Sequence, residues 1–169
     1  MIKYLKVIFT ILLVFNLNEV NAQDKIAFVD IDFLIKNSNI GKKTLQNINT
    51  ADEKNIVLLK EKGEKLKNLE NKIINKKNII SDEAYQDEVD AFQKKLKAYS
   101  NDKKEMVKNF NKYKKNELDK VFAEITPIIK DFMDSNSVGI LIDTKNIFMG
   151  KIEFNLTEDI LKEINKKIN

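Results

Sequence analysis

Carboxylates are the side chains here with the best claim to chemistry. Asp30 and Asp32 stand two residues apart, and Glu158 and Asp159 are adjacent. Such pairs can divide general-acid and general-base work when a cleft separates and desolvates them. The chain has no His, Cys or Trp, so it lacks the commonest proton shuttle, any thiol nucleophile and the usual nitrogen or sulfur metal ligands. Asp30 and Asp32 sit beside a predicted strand. Glu158 and Asp159 fall in the first turn of a predicted helix, where the helix dipole favours acids. These structural roles outweigh a glycosidase-like acid pair. No enzymatic activity, metal or cofactor is expected, and no Gly-rich phosphate loop points to a nucleotide.

The second chemistry is cationic. All 30 basic residues are Lys, so the planar fork that reads phosphates and bases bidentately is missing and nucleic acid is not an expected partner. Lys72, Lys76 and Lys77 cluster without a balancing number of acids nearby, and Lys94, Lys95 and Lys103 belong to a longer stretch in which Lys outnumbers acids. One reading is an ordinary solvated face. The other is a surface that attracts acidic unfolded chains or anionic lipid headgroups at long range, weakening as salt shortens the Debye length to about 8 Å.

Helices must carry these lysines. Leu45, Ile48, Leu59, Leu66, Leu69, Ile73 and Ile80 form a 3/4-spaced seam, interrupted by Asp52, Asn55, Lys62 and Lys76. Ser81 is a predicted N-cap, with Asp82 and Glu83 in the first turn behind it. The second arm is more regular: Tyr85, Val89, Phe92, Leu96, Tyr99, Met106, Phe110 and Tyr113 alternate by four and three around a gap at Lys103. Its aromatic stripe either packs on the first arm or presents residues such as Tyr99 to a bound partner. Pro127 predicts a kink or a restart. Two antiparallel arms of roughly forty residues, rising about 1.5 Å each, reach about 60 Å, further than a core of this size needs.

Strand character brackets the arms. Lys25–Asp32 (KIAFVDID) is apolar on both faces and predicts a buried strand, while Val138–Thr144 and Lys151–Leu156 predict two more, followed by a short helix capped by Thr157. Three short strands are marginal alone. Assembly of several chains through this head is the physical remedy.

Ahead of the first strand, Lys3 and Lys6 precede an apolar run from Val7 to Phe15, and Val20-Asn21-Ala22 supplies a cleavage sequence. That is a secretory signal peptide, cut after Ala22. Removing Lys3, Lys6 and Glu19, a net +1, lowers the formal charge from +4 to +3.

The order of these segments resembles the Skp/OmpH family of periplasmic chaperones. KIAFVDIDFLIKNSNIGKK is similar to the family's opening strand and helix, and ILIDTKNIFMGKIEFNLTEDILKEIN to its closing hairpin and helix, with Phe148 where an aromatic is usual. Asn155 stands where an aspartate is common, a departure that touches a cap or turn. The resemblance implies a mainly α protein with a small β head. A long antiparallel helical hairpin, the tentacle, projects from a short-stranded β domain that trimerises as a small barrel. The expected division is 1–22 signal peptide, 23–41 and 128–169 head, and 42–127 tentacle. Together with apolarity it implicates Ile26, Phe28, Val29, Ile140, Ile142, Ile152 and Phe154 in trimer contacts; charge and location implicate Lys72, Lys76, Lys77, Lys94, Lys95, Tyr99 and Lys103 in client contacts.

The function this implies is an ATP-independent periplasmic holdase: a homotrimer that keeps unfolded outer-membrane β-barrel proteins in a cavity between its tentacles, with a transient anionic lipid contact besides. A structural or adaptor protein whose hairpin docks one folded envelope partner is the alternative. It would need a localised patch with aromatic anchors rather than diffuse contacts, and no such patch stands out from the heptad seam.

Overall fold

The computed structural model describes residues 24–168; the expected signal peptide lies outside them. Strand β1 (Lys25–Val29) leads into helix α1 (Ile31–Asn37), the long helices α2 (Asn39–Lys76) and α3 (Asp82–Ser135), strand β2 (Val138–Asp143) and helix α4 (Thr157–Lys167). Among the described residues no helix is long and apolar enough to cross a membrane.

A break of one residue, Ser38, separates α1 from α2. Ser38 ends α1, giving its N–H to the Leu34 carbonyl at 2.9 Å, and begins α2, accepting from the Gly41 N–H at 3.2 Å. The two helices meet so closely that a Cβ on Gly41 would stand 1.8 Å from the Ile35 carbonyl oxygen. Asp30 caps α1 by accepting from the Phe33 N–H at 2.8 Å, and Ser81 caps α3 through the Ala84 N–H at 3.3 Å. Both satisfy amides that a helix start would otherwise leave without partners.

Helix α3 does not restart at Pro127. It runs unbroken for 54 residues, about 80 Å at 1.5 Å per residue. Proline removes the bond to the Ala123 carbonyl, but both residues lie on the exposed side, where water can replace it. The neighbouring Thr126 hydroxyl donates to the Phe122 carbonyl at 2.6 Å, a back-bond that tends to bend helices.

Among the described residues two of the three expected strands form, and they are parallel: Ile26 pairs with Ile140, Ala27 with Leu141, Phe28 with Ile142. Parallel neighbours need a crossover, and here the whole α2–α3 hairpin supplies it. The expected strand over Lys151–Leu156 is instead a 3₁₀ turn at Ile152–Phe154. Only Asn155 bridges to β1, opposite Phe28, because the chain turns at once into α4 and leaves no run of residues to extend a ladder.

The strand β1 expected to be buried on both faces is covered on one. Ala27 and Val29 face inward, while Ile26 stays 58 % exposed because no described element lies over it. The core is largely helical: Val29, Leu34, Val121, Ile125, Ile128, Ile160 and Ile164 pack together, with Ile129, Phe132 and Leu161 against them. Val121 and Ile125 bring the last turns of the returning arm into the head. Out along the first arm only Ile48 and Ile73 are fully buried, as befits two helices with no third to cover them. Leu96 and Tyr113, placed on the seam by their spacing, are largely exposed.

Candidate functional site

The carboxylates are structural. Besides capping α1 through its side chain, Asp30 donates its N–H to the Thr157 hydroxyl at 2.9 Å, and that hydroxyl donates to Asn155 Oδ1 at 2.6 Å. The Thr157 N–H reaches the same oxygen at 3.0 Å. Thr157 is therefore the buried first residue of α4 and not its cap; Asn155, two residues earlier, takes the free amide. Asp32 accepts from Lys145 Nζ at 2.7 Å. That hydrogen bond holds its carboxyl below the usual carboxylate range and raises the Lys145 ammonium above its ordinary value. Asp159 pairs loosely with Lys162 at 3.4 Å. Asp30 and Glu158 share an open depression of about 360 Å³ with Phe33, Ile152, Asn155 and Thr157, but Asp30 is engaged there as the cap of α1.

On the tentacle, Lys72, Lys77, Lys94, Lys95 and Lys103 are exposed. Lys76 is not the unbalanced cation the sequence predicts: it reaches across the arms to Glu88 at 2.6 Å. Sequence proximity missed this acid because it lies on the opposite arm. Lys62, which interrupts the seam, makes the matching tie to Asp102, also at 2.6 Å. Fourteen positions separate the two ties on each arm, so they share one antiparallel register. Tyr99 turns inward, its hydroxyl donating to the Leu59 carbonyl at 3.2 Å. The structure thus sets it against the first arm.

Headward of the Lys62–Asp102 tie a shallow, open groove runs between the arms. A cleft of about 600 Å³ opens there, lined on α2 by Ala51, Lys54, Asn55 and Lys62 and on α3 by residues from Asp102 to Tyr113, including Met106, Asn109 and Phe110. The sequence signal for it was present in the polar interruptions. Asn55 lies one heptad headward of Lys62 and Asn109 one heptad headward of Asp102, so the same register sets the two amides opposite each other.

At the other end, the sheet turns one apolar face outward. Ile26, Phe28, Ile140 and Ile142 share that face through the strand register. Ile26 and Ile140 are mostly exposed, Phe28 and Ile142 half-buried. Ile152 is 81 % exposed, Phe154 less so, and Phe148 wholly exposed. The loop before the 3₁₀ turn lies against the same face, since a Cβ on Gly150 would come within 2.7 Å of the Phe28 ring. Val29 differs from the residues grouped with it: it points into the chain's own core.

Residues 25–164 match the family described as Outer membrane protein (OmpH-like). The chain belongs to the OmpH-like family. Proteins of this family are chaperones and not enzymes, in keeping with carboxylates used as caps and ties. The OmpH-like chain also shares its fold with a crystal structure of an OmpH-like protein from Caulobacter crescentus, assigned there as an outer membrane chaperone. The TM-score is 0.76 at 16% identity, covering 85% of each chain. No curated protein matches it.

Proposed function

We propose that this OmpH-like chain is a periplasmic, ATP-independent holdase that keeps unfolded outer-membrane β-barrel proteins from aggregating, holding them between the tentacles of a homotrimer. The observation that carries the reading is the pairing of a long projecting hairpin with an uncovered apolar sheet face at its root. Ile26, Phe28, Ile140, Ile142, Ile152 and Phe154 make a surface that a monomer would leave in water, and a small parallel pair of strands needs partners to be stable. Filling that face with copies of itself would direct several hairpins around one space. Val29, already inside the core, takes no part in the contact.

Capture and retention would divide between charge and apolar surface. Lys72, Lys77, Lys94, Lys95 and Lys103 are free to attract acidic segments at long range, whereas retention needs many weak contacts that release without nucleotide. At the tip, exposed Ile74 and Ile79 stand near Lys72 and Lys77, a combination suited to a passing contact with anionic headgroups.

The test is the mass, by light scattering, of the chain from Gln23 onward, alone and with a denatured outer-membrane barrel diluted from urea. A trimer that forms a soluble complex of defined mass is the expected result. A monomer that leaves the barrel to aggregate overturns both the assembly and the holding.

A further inference from the structure

The cleft between the arms has features that seam packing alone does not call for. From Ala51 to the Lys62–Asp102 tie the lining spans eleven residues of α2, about 16 Å at 1.5 Å per residue, the reach of about five residues of extended chain. Its floor is apolar and adaptable: Met106 is unbranched and polarizable, and Phe110 and Tyr113 offer ring faces. Ala51 is small, which leaves the space open.

The polar lining narrows the occupant. Asn55 and Asn109 each carry one carbonyl acceptor and one amide donor group, the complement of a peptide unit. Lys54 and Lys62 are matched by Asp102 and Glu105, so the rim has no net charge and favours a neutral guest over an ionic one. From this we infer that the inter-arm cleft is a receptor for an extended, neutral polypeptide segment, one aromatic side chain seated against Met106 and Phe110 and its backbone held between Asn55 and Asn109. This rests on the chaperone reading and adds to it a contact site inside each tentacle, distinct from the space between tentacles.

Because the chain has no Trp, Phe110→Trp supplies a single reporter within the cleft. The full mature protein carrying it is mixed with a Trp-free, urea-denatured outer-membrane barrel while light scattering follows complex formation. Emission that moves to the blue and loses acrylamide quenching as the complex forms is the expected result. A complex that forms with the indole unchanged overturns the cleft as a receptor and leaves the holding function standing. No complex with the wild-type chain removes the holding function, and the receptor with it.

A second variant guards against an indirect change. Asn55→Leu with Asn109→Leu continues the apolar seam and closes the cleft, so melting should rise while affinity for the barrel falls about tenfold, the loss of two hydrogen bonds of ordinary strength. A raised melting temperature with unchanged affinity also overturns the proposal.

Discussion

Tyr99 donates its hydroxyl to the carbonyl of Leu59 on the opposite arm, at 3.2 Å. Gly63 lies beneath it, and a Cβ there would stand 3.4 Å from the phenol oxygen. The bond ties the arms in the stretch where the seam is least apolar. Tyr99→Phe keeps the ring and removes the tie, and should cost about 0.5–1.5 kcal/mol, read as faster amide exchange around Leu59. Gly63→Ala should act the other way. A new methyl at ordinary contact distance leaves the bond intact, and alanine favours the helix by about 1 kcal/mol over glycine. A lower melting temperature in Gly63→Ala would mean that the phenol needs the bare backbone.

Gly41→Ala should be among the most damaging small substitutions in the chain. The obstacle, the Ile35 carbonyl at 1.8 Å, is backbone and cannot swing aside as a side chain would. Overpacking of this kind costs about 1–3 kcal/mol or more. Urea unfolding at fixed protein concentration checks it, and an unchanged midpoint would show that α1 and α2 can separate freely at Ser38.

Thr157→Val keeps shape and volume but removes the oxygen that accepts the Asp30 N–H. Leaving this part-buried amide unpaired costs up to about 1–3 kcal/mol, so the head should lose stability while the helical signal of the tentacle persists. Asn155→Asp tests the same junction: its carboxylate would accept the Thr157 N–H and hydroxyl as the amide oxygen does, and stability should be preserved at neutral pH.

Asp32 sets a pH expectation with a definite sign. Its carboxyl is held below its ordinary value of 3.8 by the Lys145 hydrogen bond, so the folded state binds this proton less readily than the unfolded one. The pair therefore stabilises the junction above the unfolded value and is lost as pH falls through the lower folded value. Carboxyl carbon shifts in an NMR titration should give Asp32 a midpoint below 3.8, returning to the ordinary range in Lys145→Met. An ordinary midpoint in the wild type would show that the tie does not hold in solution.

What could be read from sequence and what could not divides along the range of the interactions. The two arms and the cap at Ser81 that opens the second follow from local spacing and short side-chain bonds, and each is present, whereas the cap at Ser38 was not foreseen. The partners of Lys62 and Lys76 lie forty and twelve residues away on the facing arm, and only the antiparallel register reveals them. The strand assigned to Lys151–Leu156 has strand-like alternation, yet Asn155 is engaged by Thr157 and the segment turns before a ladder can form. In the head, Val29 and Ile26 are of similar apolarity, and only the packing of α1, α3 and α4 against one face of the sheet decides which of them is core.

Pro127 yields the last expectation. Inside a helix it removes one backbone bond and costs about 3 kcal/mol relative to alanine, and here water on the exposed side offsets part of that. Its neighbours on the other side, Ile125 and Ile128, are both in the core, so the helix is held in register across the proline. Pro127→Ala restores the bond to the Ala123 carbonyl without adding bulk to the core, and thermal unfolding at fixed concentration should shift upward. A fall would mean that α3 must be bent at this point to seat both isoleucines, the bend being encouraged by the Thr126 hydroxyl on the Phe122 carbonyl. Thr126→Ala separates the two cases: if a bend is required, it should destabilise the alanine variant further, and if none is required, the two substitutions should add independently.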